Sequence, residues 1–195
     1  MTSRMARGSA GVNSLAVVIF ALSMLFHQTF ISYLSSLVIA LSFMPMMAAI
    51  ADKGAVPSKL AGTVGIGFAI IYVTINALVY FAQLTSVYQG HLSLDAQAVL
   101  DYQQFGLFFN YNLLGYGFMA LSTFFVSFTI ADQAKNLRRL LMIHGIFAIA
   151  CFTLPLMGIF STSLSGVEWI GTAVLLIWCL YFFPVGVLAY RYFNN

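Results

Sequence analysis

The chain has little charge. Only 7% of its 195 residues are Asp, Glu, Lys or Arg, whereas 62% are hydrophobic. A soluble globular domain carries about 25% charged residues, so water is not the solvent for most of this surface. Cysteine is scarce as well, and Cys151 and Cys179 both fall inside apolar runs, which argues against a disulfide framework or a zinc site.

Chemically active side chains are also few. No Asp, Glu, Lys or Arg lies near the centre of an apolar run, where such groups mark proton relays and ion pathways. No nucleophile and base are suitably spaced, so we predict no catalytic residue, metal or cofactor. We expect His27 and His91 outside and His144 one turn into the fifth span from the cytoplasm, as an interfacial residue bonded to a loop. The eight basic residues form no continuous face, which argues against a nucleic-acid partner.

Long apolar runs dominate the rest of the chain. A helix crosses the hydrocarbon core in about 20 residues, and these runs are continuous rather than alternating, as helices require. We therefore predict an all-α, polytopic membrane protein, a six-transmembrane-helix bundle forming a single domain over residues 1–195. The predicted spans are 10–27, 31–51, 61–85, 106–130, 140–160 and 168–189.

The basic residues predict the orientation. Six crossings with a cytoplasmic N-terminus put all eight on the cytoplasmic side, as the positive-inside rule expects. Merging the first two spans would put six of the eight outside. We therefore expect the plasma (inner) membrane, with both termini cytoplasmic. In the outer loop 86–104, Ser93 is a candidate N-cap for a short helix on the membrane surface.

A shift of 80 residues aligns the chain with itself and predicts a duplicated helical hairpin, with helices two and three matching helices four and five. Each copy has an Asp at one helix end and a basic residue seven positions later. We predict cross-loop pairs, Asp52 with Lys59 and Asp132 with Arg139, that act as structural clamps. The matching segments are Ala40-Leu41-Ser42 with Ala120-Leu121-Ser122, and Ile50-Ala51-Asp52 with Ile130-Ala131-Asp132.

Amides and phenols in the outer half of helices three and four form the candidate site. Amide side chains in hydrocarbon need partners, so they should point into the bundle. Two interpretations stay open: the groups bond only to each other between helices, or they line a ligand pocket. The candidate residues are Asn76, Tyr80, Gln83, Asn110, Asn112 and Tyr116.

Small residues and prolines complete the pattern. Ala61, Gly65 and Ala69 are spaced by four, which is typical of close helix packing. Pro45, Pro155 and Pro184 fall inside predicted helices two, five and six, where proline kinks a helix.

The stretches Asn-Ala-Leu-Val-Tyr-Phe-Ala-Gln-Leu at 76–84 and Gly-Tyr-Gly-Phe-Met-Ala-Leu-Ser at 115–122 resemble small bacterial six-helix integral membrane proteins. That resemblance implies a bacterial membrane protein and no particular activity. Our leading hypothesis is a protein that binds or moves a small apolar molecule or lipid. The alternative is a non-catalytic scaffold or accessory subunit that docks a membrane partner protein or a second copy of itself.

Overall fold

A computed structural model describes residues 3–54, 58–158 and 168–194, and within these ranges the regular structure is entirely helical. A π-helical turn (Gln83–Val87) extends α3, and two 3-10 turns (Tyr102–Gln104 and Asp132–Ala134) precede α5 and α6. The helices are α1 (Ser3–Leu25), α2 (Thr29–Lys53), α3 (Lys59–Ala82), α4 (Leu94–Leu100), α5 (Leu107–Ser127), α6 (Lys135–His144), α7 (Phe147–Leu156) and α8 (Glu168–Tyr192).

Five helical segments of the described chain are long and apolar enough to cross a membrane, which indicates a membrane protein. α5 is not among them, although its 21 residues are of spanning length. Asn110 and Asn112 lower its hydropathy. The five segments are Ser3–Leu25, Thr29–Lys53, Lys59–Val87, Asp132–Leu156 and Gly171–Tyr192.

The helices pack in a closed order around one core. α1 lies between α2 and α8, α2 packs on α3, and α3 makes its most extensive contact with α5. α5 also packs on α6 and α7. α6 contacts α8, so the helices form a closed ring of contacts. Large, fully buried side chains fill the centre, among them Phe43, Tyr72, Leu141 and Phe182.

Small residues allow α3 and α5 to approach closely. A Cβ placed on Gly65 would lie 2.6 Å from Cγ2 of Val126, and Ala69 is fully buried. On α5, a Cβ on Gly115 would overlap the amide oxygen of Asn76. Gly65 and Ala69, two of the three small residues predicted to pack, therefore do so, and they pack within this chain.

One end of the molecule, here called the basic end, collects the basic residues. Arg7 Nη1 donates to Asn194 Oδ1 at 2.9 Å, and Lys53 Nζ donates to the Tyr192 carbonyl at 2.6 Å. Gly54 contacts Thr129, so the ends of α2 and α5 also meet there. The opposite end, here called the loop end, contains residues 26–28 and 88–106. The basic end contains Arg4, Arg7, Lys53, Lys59, Lys135, Arg138, Arg139 and Arg191.

The predicted hairpin repeat differs between its two halves in the structure. α3 is continuous through Gly65, whereas its counterpart is broken into α6 and α7 at Gly145, whose Cα faces Phe124 closely. Asp132 lies in a 3-10 turn and pairs with Arg138 at 3.2 Å, so the prediction of Arg139 as its partner was wrong by one residue. Adjacent residues of a helix point about 100° apart, and it is Arg138 that faces back to the turn. The pairing of Asp52 with Lys59 stays a prediction.

Other predictions of local structure are confirmed. Ser93 caps α4, with its Oγ accepting a hydrogen bond from the Ala96 backbone N–H at 3.3 Å. The three prolines lie inside α2, α7 and α8 as expected.

Candidate functional site

Polar side chains of three helices converge in the half of the bundle nearer the loop end. Four of the six predicted residues are there, and the hydroxyls of Tyr80 and Tyr116 join α3 to α5 by a 2.8 Å hydrogen bond. Two further residues complete this group, here called the interior cluster. Its members are Ser36 on α2, Tyr72, Asn76 and Tyr80 on α3, and Asn112 and Tyr116 on α5.

The amides of the interior cluster are buried without partners. Asn76 and Asn112 are fully inaccessible, and among the described residues neither the oxygen nor the nitrogen of either amide has a hydrogen-bond partner at normal distance and angle. The Ser36 and Tyr72 hydroxyls are also unpartnered. More than about 90% of buried polar groups in proteins are satisfied. Of the eight such atoms among the described residues, six lie in this one layer of the bundle, so unsatisfied polar groups are concentrated there.

The orphaned groups lie close together. Asn76 rests on Gly115, which follows Asn112 by three residues on the same face of α5. Asn112 and Ser36 both face the hydroxyl of Tyr80. The arrangement gathers two amide donors, two amide acceptors and several hydroxyls in one buried layer of the bundle.

Two predicted site residues lie outside the interior cluster. Asn110 is exposed, because a step of two residues along a helix turns the side chain about 200° away from Asn112. Gln83 is buried at the π-helical turn, where both ends of its amide are used. Its Nε2 donates to the Leu100 carbonyl at 2.7 Å, and its Oε1 accepts from the Tyr102 backbone N–H at 3.0 Å. Gln83 therefore anchors the loop 88–106 to α3.

A cavity of about 180 Å³, here called the outer cavity, opens beside the interior cluster at the loop end. Tyr33 separates the two: its ring lies 6.2 Å from that of Tyr80 and 6.0 Å from that of Tyr102. Burial raises the pKa of Tyr102 well above its ordinary value, so this phenol stays neutral beside the cavity. The cavity is lined by Thr29, Phe30, Tyr33, Gln83, Val87, Tyr88, Asp101 and Gln103.

A second polar group, here called the His144 network, lies between α5, α6 and α8. Trp178 Nε1 donates to His144 Nε2 at 3.1 Å, since an indole N–H only donates. The other ring nitrogen, Nδ1, therefore carries the hydrogen and donates to Thr123 Oγ1 at 2.8 Å. The Thr123 hydroxyl in turn donates a hydrogen bond to the Ala120 carbonyl. The expectation of an interfacial, loop-bonded His144 was wrong, because α6 carries this side chain against α5 and α8.

Of the residues that sequence reasoning missed, one has a clear signal in the sequence and the others have none. Tyr72 precedes Asn76 by four, so helical spacing alone predicts that it shares the face of Asn76 and Tyr80. Nothing in the sequence marks Ser36 among the other serines of α2, and nothing links Thr123 and Trp178 to His144 before the helices are packed.

Metal chemistry has no obvious centre in the part of the chain that the structure describes, where no three His, Cys, Asp or Glu side chains come together. The two cysteines are free thiols, Cys179 buried and Cys151 half-buried. This chain matches no protein-family model, no curated protein and no solved structure.

Proposed function

We propose that this chain is a non-enzymatic membrane protein that binds, or moves, a small and largely apolar molecule or lipid. The interior cluster orients a polar group of that ligand. The observation that carries the proposal is the pair of buried amides, Asn76 and Asn112, whose four polar atoms have no hydrogen-bond partner of normal geometry in the part of the chain that the structure describes.

Energetics favour a ligand over a purely structural role for these amides. A buried polar group left without a hydrogen bond costs about 1–3 kcal/mol. Apolar side chains of similar shape would pack the same space without that cost. A neutral ligand with one donor and one acceptor would satisfy both amides, while its apolar remainder would lie among Tyr72, Tyr116 and the surrounding rings.

Access from the loop end is consistent with the geometry. The outer cavity extends to Tyr33, whose ring lies between the cavity and Tyr80. A rotation of one tyrosine side chain would join the cavity to the interior cluster. Prolines in α2, α7 and α8 supply bends near which the helices could adjust during such a passage.

The proposal includes six crossings with both termini in the cytoplasm of the plasma (inner) membrane. α5 is long enough to span, and α3, α6 and α7 pack against it, so Asn112 faces protein rather than lipid. The contacts of Arg7 with Asn194 and of Lys53 with Tyr192 bring helix ends together as an even number of crossings requires. Gathering eight basic residues at one end supports a cytoplasmic basic end.

The test is native mass spectrometry of the protein extracted gently with its own lipids. We expect a stoichiometric small molecule or lipid, with its occupancy reduced about tenfold in Asn76→Leu and in Asn112→Leu. The matched control is Asn110→Leu, which alters an exposed asparagine of α5, the helix of Asn112, and should retain the ligand.

Two outcomes would contradict this proposal. One is a preparation in which no small molecule is bound at stoichiometric occupancy. The other is a bound molecule that all three leucine variants retain equally. A co-purifying polypeptide without a small molecule would instead favour the scaffold function. The small-residue face of α3 would not be its docking surface, because α5 covers Gly65 and Ala69.

A further inference from the structure

The outer cavity combines aromatic rings with a carboxylate. Phe30, Tyr33 and Tyr88 line it, and the rings of Phe30 and Tyr88 are in contact, with centroids 4.9 Å apart. Asp101 lines the same space. Aromatic faces carry negative electrostatic potential and attract cations, most strongly where water is partly excluded. Rings and carboxylate therefore favour the same sign of ligand charge.

The charge of Asp101 is not neutralised by the protein. Its Oδ1 accepts a hydrogen bond from the Gln103 backbone N–H at 2.9 Å, and among the described residues it has no basic partner. All eight Lys and Arg side chains belong to the basic end of the bundle. At the loop end, the side chains that can become cationic are His27 and His91, and neither lines the cavity.

The composition of the cavity selects among cations. A hard metal ion takes six or more oxygen ligands, whereas this cavity offers a single carboxylate, and its other polar groups are neutral amides and hydroxyls among aromatic rings. An anion would be repelled by Asp101. The volume of about 180 Å³ is below the roughly 300 Å³ of a pocket for a drug-sized molecule, so only a small group fits. An alkylated ammonium group fits this cavity, because it needs no set of oxygen ligands, carries a positive charge and is small.

We propose that the outer cavity binds the ammonium group of a quaternary or alkylated amine, either free or as the headgroup of a lipid. Phe30, Tyr33 and Tyr88 contact its methyl groups, and Asp101 supplies the counter-charge. Phe30 and Tyr88 are 42% and 69% exposed, so the group can enter from the membrane surface without opening the bundle. This site does not depend on the interior cluster or on the ligand proposed for it.

The first experiment measures binding of radiolabelled choline to the purified protein in a maltoside detergent by scintillation proximity. We expect saturable binding that 3,3-dimethylbutanol, a neutral molecule of the same shape, does not displace. Tyr88→Leu and Asp101→Asn should each weaken binding roughly fivefold or more. Asn at position 101 can still accept from the Gln103 N–H, so that variant removes charge and keeps the turn.

Matched controls separate a site from a general surface effect. Asp95→Asn removes the same charge from an exposed position of α4 and should leave choline binding unchanged. Asn76→Leu should also bind choline normally, so a failure of the interior cluster proposal and a failure of this one are distinguishable. Equal displacement by 3,3-dimethylbutanol, equal weakening by Asp95→Asn, or no saturable binding would each overturn the proposal.

A second arm identifies the source of the ammonium group. The protein is reconstituted in nanodiscs of phosphatidylcholine or of phosphatidylglycerol and examined by native mass spectrometry. Selective retention of phosphatidylcholine that is lost in Tyr88→Leu supports a lipid headgroup as the occupant. Choline binding of equal strength in both nanodiscs supports a free amine.

Discussion

The interior cluster and the His144 network are two buried polar groups of one bundle, and they differ in how completely they are satisfied. In the His144 network each nitrogen of the imidazole has one partner of the correct donor or acceptor type. In the interior cluster, one hydrogen bond joins Tyr80 to Tyr116, and both amides are left unpaired. A satisfied network holds helices together, whereas an unsatisfied one is suited to bind something else.

The strongest way to test this comparison is to remove the imidazole. His144→Leu leaves the Trp178 N–H without an acceptor in the core, so we expect unfolding free energy to fall by about 2–3 kcal/mol. Equilibrium unfolding in mixed detergent and dodecyl sulfate measures the change. His91→Leu, at an exposed position of the loop end, should change stability by less than about 0.5 kcal/mol. A cost at His144 no greater than that at His91 would remove the structural role from this network.

The next effect concerns the contact of α5 with Asn76. Gly115→Ala places a methyl group where the Asn76 amide oxygen lies, so we expect a loss of about 1–2 kcal/mol in the same unfolding assay. Adding Asn76→Ala to that variant should recover most of the loss, since the obstacle is removed. Gly67→Ala is the control, because a Cβ there meets nothing within 4 Å. Failure of Asn76→Ala to rescue would mean that the two helices are not in contact at this point.

The third and mildest substitution concerns the unpaired amide of Asn76. Asn76→Leu replaces an amide without partners by an apolar group of similar shape, so it should leave the unfolding free energy unchanged or raise it, and should not lower it by more than about 0.5 kcal/mol. Asn13→Leu is its counterpart, because Asn13 Nδ2 donates to both the Ile39 carbonyl and Ser42 Oγ. That variant should cost about 1 kcal/mol. Asn13 Oδ1 has no partner among the described residues, so the two hydrogen bonds of its nitrogen are what distinguish it from Asn76. Equal costs at the two asparagines would show that those two bonds add no stability.

The helical class and most element positions follow from apolar run length, because lipid forces the backbone to satisfy itself. The surface helix α4 follows from its Ser93 cap. The break between α6 and α7 was not predictable, since Gly145 is one of many glycines and only contact with Phe124 distinguishes it. The sequence also does not separate Asn110 from Asn112 until the helix phase is fixed by packing.

The candidate site was predictable where helical spacing applies and not where tertiary contact decides. Asn76 and Tyr80 share a face of α3, and Asn112 and Tyr116 share a face of α5, by their spacing of four. Gln83 follows the same spacing, yet the π-helical turn and the loop 88–106 capture its amide. His144 shows the same limit, because its partners are 21 and 34 residues away in sequence.

The position of α1 has a consequence for biogenesis. α1 packs on α2 through Asn13 and on α8 through Gly11 and Ser14, which meet Tyr190 and Gly186. During translation α2 emerges directly after α1, whereas α8 emerges more than 140 residues later. Until then one side of α1 faces lipid or the insertion machinery. A chain whose synthesis stops before α8 would therefore leave the Gly11 and Ser14 face of α1 uncovered.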